Sequence, residues 1–437
     1  MRRAALAAGL LACLLGLSGC GAINLNADGL LRAPKQTGDR DGVQQALAQY
    51  LAEQMDTDEP DYTLKYPKEG NQLTSFLFLD GEEEAAKAVA FYGCPKRSAN
   101  VRILYLEKEN GVWRGVSDLE GYSEDIGQVF LSDLDADGQG ELLVGWNLPN
   151  TRDLRLMAYD VLSGETGDYL AAVYDTSYTA LVTADMTAVP GEELLLLNIV
   201  STESNVSARL LAYGDGAFRE QGNVRLDGGI TRFTKWQAVR WSKENGVFLD
   251  GAKGNGVTVT ELVLWDGEKL TAPLYNAQEN ITTLTARESG LPFADVDNDG
   301  VPEWPISQRL PGYEEATADA ALYQTTYYRW EPEGGSARQV LTAVVNAADG
   351  YMAVLGNDLR GQVTAVYRKP ERLLELQTAA DGTPLLRVCT CSRAEKLPEG
   401  YQLLRQGETL QVAFCVPETG AAVLTDEQAR YMITFLS

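Results

Sequence analysis

Apolar and polar residues alternate in short runs along most of the chain, and helical spacing is confined to its two ends. Behind Arg2 and Arg3, Ala4 to Leu17 form an apolar run of 14 residues, too short to cross a bilayer and suited to the core of a secretory signal. The polar stretch that follows has no sustained period and reads as a tether reaching roughly 25 Å. Val43, Leu47, Tyr50 and Leu51 then recur at helical spacing and predict one amphipathic helix within 41–60. From 61 to 345 the pattern is one of short strands broken by acidic, glycine-containing turns. Residues 346–437 predict strands over 362–367, 372–376, 384–391 and 410–416, closed by a helix. Thr425 with Gln428 three positions on is a capping-box start, and Ala429, Met432, Ile433 and Leu436 form that helix's buried stripe. This last segment is expected to be a small α+β domain of its own.

Two of the acidic turns share a string. Asp133-Leu134-Asp135-Ala136-Asp137-Gly138-Gln139-Gly140-Glu141 precedes the apolar run Leu142 to Trp146. Asp295-Val296-Asp297-Asn298-Asp299-Gly300-Val301-Pro302-Glu303 precedes Trp304 to Ile306. A degenerate copy runs from Asp185 to Glu193. The starts at 133, 185 and 295 differ by 52 and 110, one period and then two, which predicts further starts near 80 and 239 in copies that have lost the acids. Bulky residues that close a strand-like segment run in the same phase: Leu106, Tyr159, Tyr213, Trp265 and Trp330, separated by 53, 54, 52 and 65. Five repeats of about 55 residues, each with several strands, predict a mainly β chain, a β-propeller of about five blades over 61–345.

Two resemblances follow from these residues. Leu17-Ser18-Gly19-Cys20 resembles the bacterial lipobox, which implies loss of 1–19, diacylglyceryl modification of the Cys20 thiol, and a tether over 20–40. Two acyl chains on one residue would hold the body to a cell membrane on its extracytoplasmic face. The repeats resemble the FG-GAP/VCBS-type repeats of integrin-like β-propellers, in particular those of bacterial surface lipoproteins. This likeness covers roughly residues 74–345, and its specific part is the two full Asp strings. It implies that each blade carries a potential calcium loop between strands.

The residue chemistry of the strings agrees with that implication. Calcium takes six to eight oxygens, readily supplied by a tight turn. Carboxylates at positions 1, 3 and 5 can face one centre, glycine at 6 allows the reversal, the carbonyl at 7 points inward and an acid at 9 closes the shell. Two calcium sites are therefore expected: Asp133, Asp135, Asp137, the Gln139 carbonyl and Glu141, and Asp295, Asp297, Asp299, the Val301 carbonyl and Glu303. An EF-hand would need a bidentate glutamate at position 12, where Val144 and Ile306 stand. A pair of Asp-Gly hairpin turns with solvated acids is the structural alternative. In the degenerate copy Thr187 and Val189 replace the middle acids, and no ion is expected there.

Composition narrows the function. The chain contains no histidine, which removes Ser-His-Asp and Cys-His nucleophiles and every His-ligated metal site. A formal charge of −25, or −27 once Arg2 and Arg3 are gone, argues against nucleic acid as a partner. Cys94, Cys389, Cys391 and Cys415 remain beyond the signal and anchor. A disulfide from Cys415 to Cys389 or Cys391 suits an exported protein, with free thiols the equal alternative. The expected function is non-catalytic: a membrane-anchored extracellular module that binds or scaffolds a protein or cell-envelope glycan. The alternative is a polysaccharide hydrolase using an Asp/Glu pair about 5–10 Å apart.

Overall fold

The computed structural model describes residues 39–80, 86–148, 154–165 and 167–436. The expected signal segment 1–19, Cys20 and the expected tether through residue 38 lie outside them. Among the described residues the chain is mainly β, folded as six successive, almost wholly antiparallel sheets with two α-helices. No described helix is long and apolar enough to cross a membrane. Contacts divide the chain into two units, one of residues 1–131, 139–149 and 157–172 and one of 132–138, 150–156 and 173–437.

The first unit holds the helix Arg40–Met55, which turns Val43, Ala46, Leu47 and Leu51 onto Phe76, Ala88, Ala90, Leu104 and Trp113 of the first sheet. Val43, Leu47 and Leu51 each contribute about 1.5–3 kcal/mol by leaving water. Two glycines permit the close approach: a Cβ on Gly42 would lie 2.9 Å from Trp113 Cδ1, and one on Gly115 would lie 2.7 Å from Tyr50 Cδ2. The first sheet runs Phe76–Phe78, Lys87–Cys94, Ser98–Glu109 and Val112–Glu120, with Thr63–Leu64 also paired to Lys87–Cys94. Its other face packs Phe91, Ile103 and Tyr105 against Val129, Leu142, Val144 and Trp146 of the second sheet. Lys87–Cys94 is therefore covered on both faces, which is why Ala88 to Tyr92 is an unbroken apolar run. The second sheet orders Gly167–Tyr178, Leu154–Gly164, Glu141–Asn147 and Ile126–Ser132, with Glu69–Gly70 parallel at its edge.

In the second unit the third sheet takes Ala180–Ala184, Glu193–Val200, Asn205–Gly214 and Ala217–Leu226, and the fourth takes Ile230–Arg240, Asn245–Lys253, Thr258–Trp265 and Leu270–Thr271. Leu195, Leu197, Ala208 and Leu210 of one meet Val247, Leu249, Val259 and Val263 of the other in a shared core. Phe248 and Leu262 then pack with Trp304 and Trp330 of the fifth sheet. That sheet runs Trp304–Arg309, Tyr323–Glu331, Ser336–Asn346, Tyr351–Val354 and finally Ile433–Phe435.

The sequence period has a plain structural meaning. In the second and third sheets the acidic turn joins the first strand to the second, and the bulky marker, Tyr159 or Tyr213, sits on the next strand. In the first sheet Asp80 opens the same connection and accepts the N–H of Ala86 at 2.6 Å. Near 239 the connection has shortened to the hairpin after Arg240. In the fifth sheet the first strand has shrunk to a single bridge between Ala294 and Glu303. Most of the long spacing between Trp265 and Trp330 comes from the connection 310–322 between Trp304–Arg309 and Tyr323–Glu331, which is longer than its counterparts 148–153 and 201–204 in the second and third sheets.

The C-terminal segment differs in part from expectation. Its strands Val363–Arg368, Leu373–Thr378, Pro384–Ser392 and Leu410–Cys415 stand where predicted and, with Gln402–Gln406, form the sixth sheet. The capping box of Thr425 and Gln428 is made. However, the helix stops at Met432, and Ile433 leads into a strand paired with Tyr351–Val354. The sixth sheet also shares one core with Val344, Tyr351 and Ala353 of the fifth, so residues 346–437 do not pack as a body apart.

Candidate metal centre

The Asp295 string is a closed turn inside the second unit. Backbone bonds in both directions join Ala294 and Glu303, at 3.0 and 2.8 Å. Within the turn the two Asp295 oxygens accept the N–H groups of Asp299 at 3.1 Å and Gly300 at 2.8 Å, and Asp299 accepts that of Val301 at 2.9 Å. Asn298 at φ 59° and Gly300 at φ 89° make the reversal. The effect is to bring oxygens of Asp295, Asp297 and Asp299 within 4.8 Å of one another. Two oxygens on one ion at 2.3–2.6 Å can be no more than about 5 Å apart, so three acids already have the spacing of a shared cation.

Glu303 lies beneath this cluster. Its side chain is wholly buried, Oε2 accepts the Val296 N–H at 2.9 Å, and Oε1 has no hydrogen-bond partner. Burial raises its pKa to about 8, helped by the negative charges of Asp297 and Asp295 and opposed by the Val296 N–H. A buried carboxylate oxygen without a donor costs on the order of 1–3 kcal/mol unless something compensates it. On the solvent side Arg329 pairs with Asp299 and lies 3.5 Å from Asp297.

The Asp133 string repeats this backbone. Ala136 at φ 60° and Gly138 at φ 89° occupy the positions of Asn298 and Gly300, and Asp133 and Asp135 accept the N–H groups of Gly138 and Asp137, each at 3.2 Å. Here oxygens of Asp133, Asp135 and Glu141 gather within 4.8 Å, and Asp133 Oδ1 is the buried oxygen without a partner. The two strings thus assemble different trios from the same positions. Asp137 stays exposed outside the first, and Glu303 stays below the second. The Gln139 side chain accepts from Lys87 at 2.7 Å.

The degenerate copy satisfies its buried acid from within the turn. Glu193 accepts the N–H of Met186 at 2.7 Å, as Glu303 does that of Val296, but its other oxygen is bonded by the Thr187 hydroxyl and N–H. A threonine at position 3 donates to the buried acid, whereas Asp297 cannot. Asp185 has instead paired with Arg240 at 2.7 Å. The turns also touch: Glu192 N–H donates to the Asp133 carbonyl at 3.2 Å, and Asn245 reaches the Met186 carbonyl at 3.1 Å.

Two other groups bear on chemistry. The strand register sets Cys389 opposite Ala413 and Cys415 opposite Arg387, so no cysteine directly faces another, and all four described cysteines are free thiols. Sequence reasoning missed a buried network in the fourth sheet. Glu261 accepts the Asp227 N–H at 2.8 Å and the Thr282 hydroxyl at 2.7 Å, while Lys253 pairs with Asp227 at 2.8 Å. Its signal was the charged pair Asp250 and Glu261 inside otherwise apolar strands.

No protein-family model matches the chain, and no curated protein matches it. Solved structures resemble it faintly. A candidate 6-phosphogluconolactonase from Bacteroides uniformis aligns with a TM-score of 0.30 and 11% identity over 69% of this chain and 81% of its own. Sqt1 from Chaetomium thermophilum gives 0.28 and 11% over 74% and 90%. An exo-beta-1,3-galactanase from Phanerochaete chrysosporium gives 0.25 and 10% over 82% and 91%.

Proposed function

We propose that the chain is a membrane-anchored, extracytoplasmic β-propeller of the FG-GAP/VCBS kind, stabilised by calcium at its two Asp strings, that binds or scaffolds a protein or cell-envelope glycan. One observation carries the calcium part: the Glu303 oxygen that is buried without a donor beneath three carboxylates. Oxygen-only donors on a tight turn suit a hard cation, and calcium is the one that tolerates their number and irregularity. Six successive sheets, each built around three or more strands paired in chain order, support a propeller, with residues 346–437 supplying a blade beyond the expected five.

A non-catalytic role is favoured by the sequence, which holds no histidine for Ser-His-Asp or Cys-His chemistry. The test is capture of envelope proteins and glycans by the anchored chain in calcium and in chelator. One partner should be retained in calcium and lost with Asp135→Ala/Asp297→Ala. Retention of nothing in either condition removes the binding module, and turnover of a polysaccharide by the purified chain would replace it with a hydrolase.

A further inference from the structure

Beside the Asp295 turn the second unit contains a cavity of about 220 Å³, walled by Leu291, Tyr327, Met352 and Phe435 and reached by Lys235 and Asp295. Lys235 stands on the strand Ile230–Arg240. Its Nζ donates to the Phe293 carbonyl at 2.7 Å and lies 4.6 Å from the centre of the Phe293 ring. An ammonium carries three donors. Among the described residues Nζ has that one hydrogen-bond partner and no carboxylate within ion-pairing distance. Burial holds the amine below its ordinary pKa, and the charge of Asp250 opposes this only in part. Asp295 lines the same cavity but makes no ion pair with Nζ, and its two oxygens already accept N–H groups of its own turn.

A partly desolvated cation with free donors, set in a mostly apolar cavity, is complementary to a small anion with an apolar body. We propose that this cavity binds a small organic carboxylate, its charged group on Lys235 Nζ and its body against Tyr327, Met352 and Phe435. The volume equals that of about seven waters, which suits a ligand of one six-membered ring with its carboxylate. The inference stands whether or not calcium occupies the neighbouring turn.

Cyclohexanecarboxylate and its neutral counterpart cyclohexylmethanol, titrated into the whole chain in chelator with ligand-detected NMR, decide the matter. The acid should bind at least about tenfold more tightly than the alcohol. Lys235→Met should erase that preference while leaving alcohol binding unchanged. Equal affinities for acid and alcohol on the unaltered protein overturn the proposal even if the variant does not fold. So does an acid affinity untouched by Lys235→Met, or no acid binding at about 10 mM. Tighter binding of glucuronate than of cyclohexanecarboxylate would overturn the apolar body and make the ligand a sugar acid.

Discussion

The Asp250 carboxylate and the Arg287 guanidinium meet at 2.8 Å with neither side chain exposed to solvent. The pair is closed on every side. Thr260 donates to Asp250 at 2.6 Å and accepts from Arg287 at 2.9 Å, and Arg287 also reaches the carbonyls of Thr285 and Leu291. The remaining Asp250 oxygen accepts the Phe293 N–H at 3.0 Å, two residues before Asp295. The pair therefore pins the irregular segment that delivers the acidic turn. Breaking it leaves a lone buried charge, at a cost of about 3–5 kcal/mol. Arg287→Met should lower the urea midpoint accordingly, and Arg287→Met/Asp250→Leu should recover part of the loss. A double variant no better than the single one would show that the surrounding hydrogen bonds, not the charges, hold the segment.

Calcium should raise the melting temperature. With a dissociation constant near ~10⁻⁴ M, 1 mM calcium stabilises the fold by roughly 1.4 kcal/mol per site. Asp297→Ala should remove about half of the increment, and Asp135→Ala/Asp297→Ala all of it. Superimposable scans of the unaltered protein in calcium and in chelator would leave the strings as ordinary turns.

Arg329 occupies the solvent side of the second cluster, where it offsets the charges of Asp297 and Asp299. Because the pairing is partly exposed, it is worth at most about 1 kcal/mol. An incoming ion must displace it or share the acids with it. Arg329→Gln should therefore melt slightly lower in chelator yet bind calcium several-fold more tightly by calorimetry. Weaker calcium binding would instead make the arginine a support of the occupied turn.

What the sequence revealed and concealed divides by the range of the interactions. The acidic strings, the helix Arg40–Met55 and the capping box of Thr425 depend on residues within a turn or two, and their spacing was readable. The strand Ile433–Phe435 was not, because its pairing with Tyr351–Val354 joins residues about eighty positions apart and its apolar residues also satisfy a helical period. The irregular segment before Asp295 is held by Asp250 and Arg287, whose partnership leaves no local pattern. Position alone marked eight carboxylates and two carbonyls, yet which acids converge depends on how each turn settles: Glu141 joins the first trio, and Glu303 is withheld from the second.

Glu261 gives the fold a dependence on pH. Burial is the main cause that raises its pKa to about 7, with the Asp227 charge adding to it and the Thr282 hydroxyl, the Asp227 N–H and Lys253 opposing it. An unfolded glutamate titrates near about 4.3, so between there and about 7 the folded chain holds a proton that the unfolded chain has released. Stability from this group is thus complete below the unfolded value and is lost as pH rises through the folded one, at no more than about 1.4 kcal/mol per pH unit. Glu261→Gln keeps the acceptor for Thr282 and cannot ionise. Relative to the unaltered protein, its urea midpoint should therefore improve from pH 5 to about pH 7 and level off above it. A difference between the two proteins that stays constant across that interval would mean that Glu261 is already ionised at pH 5, with Lys253 and the two hydrogen bonds outweighing burial.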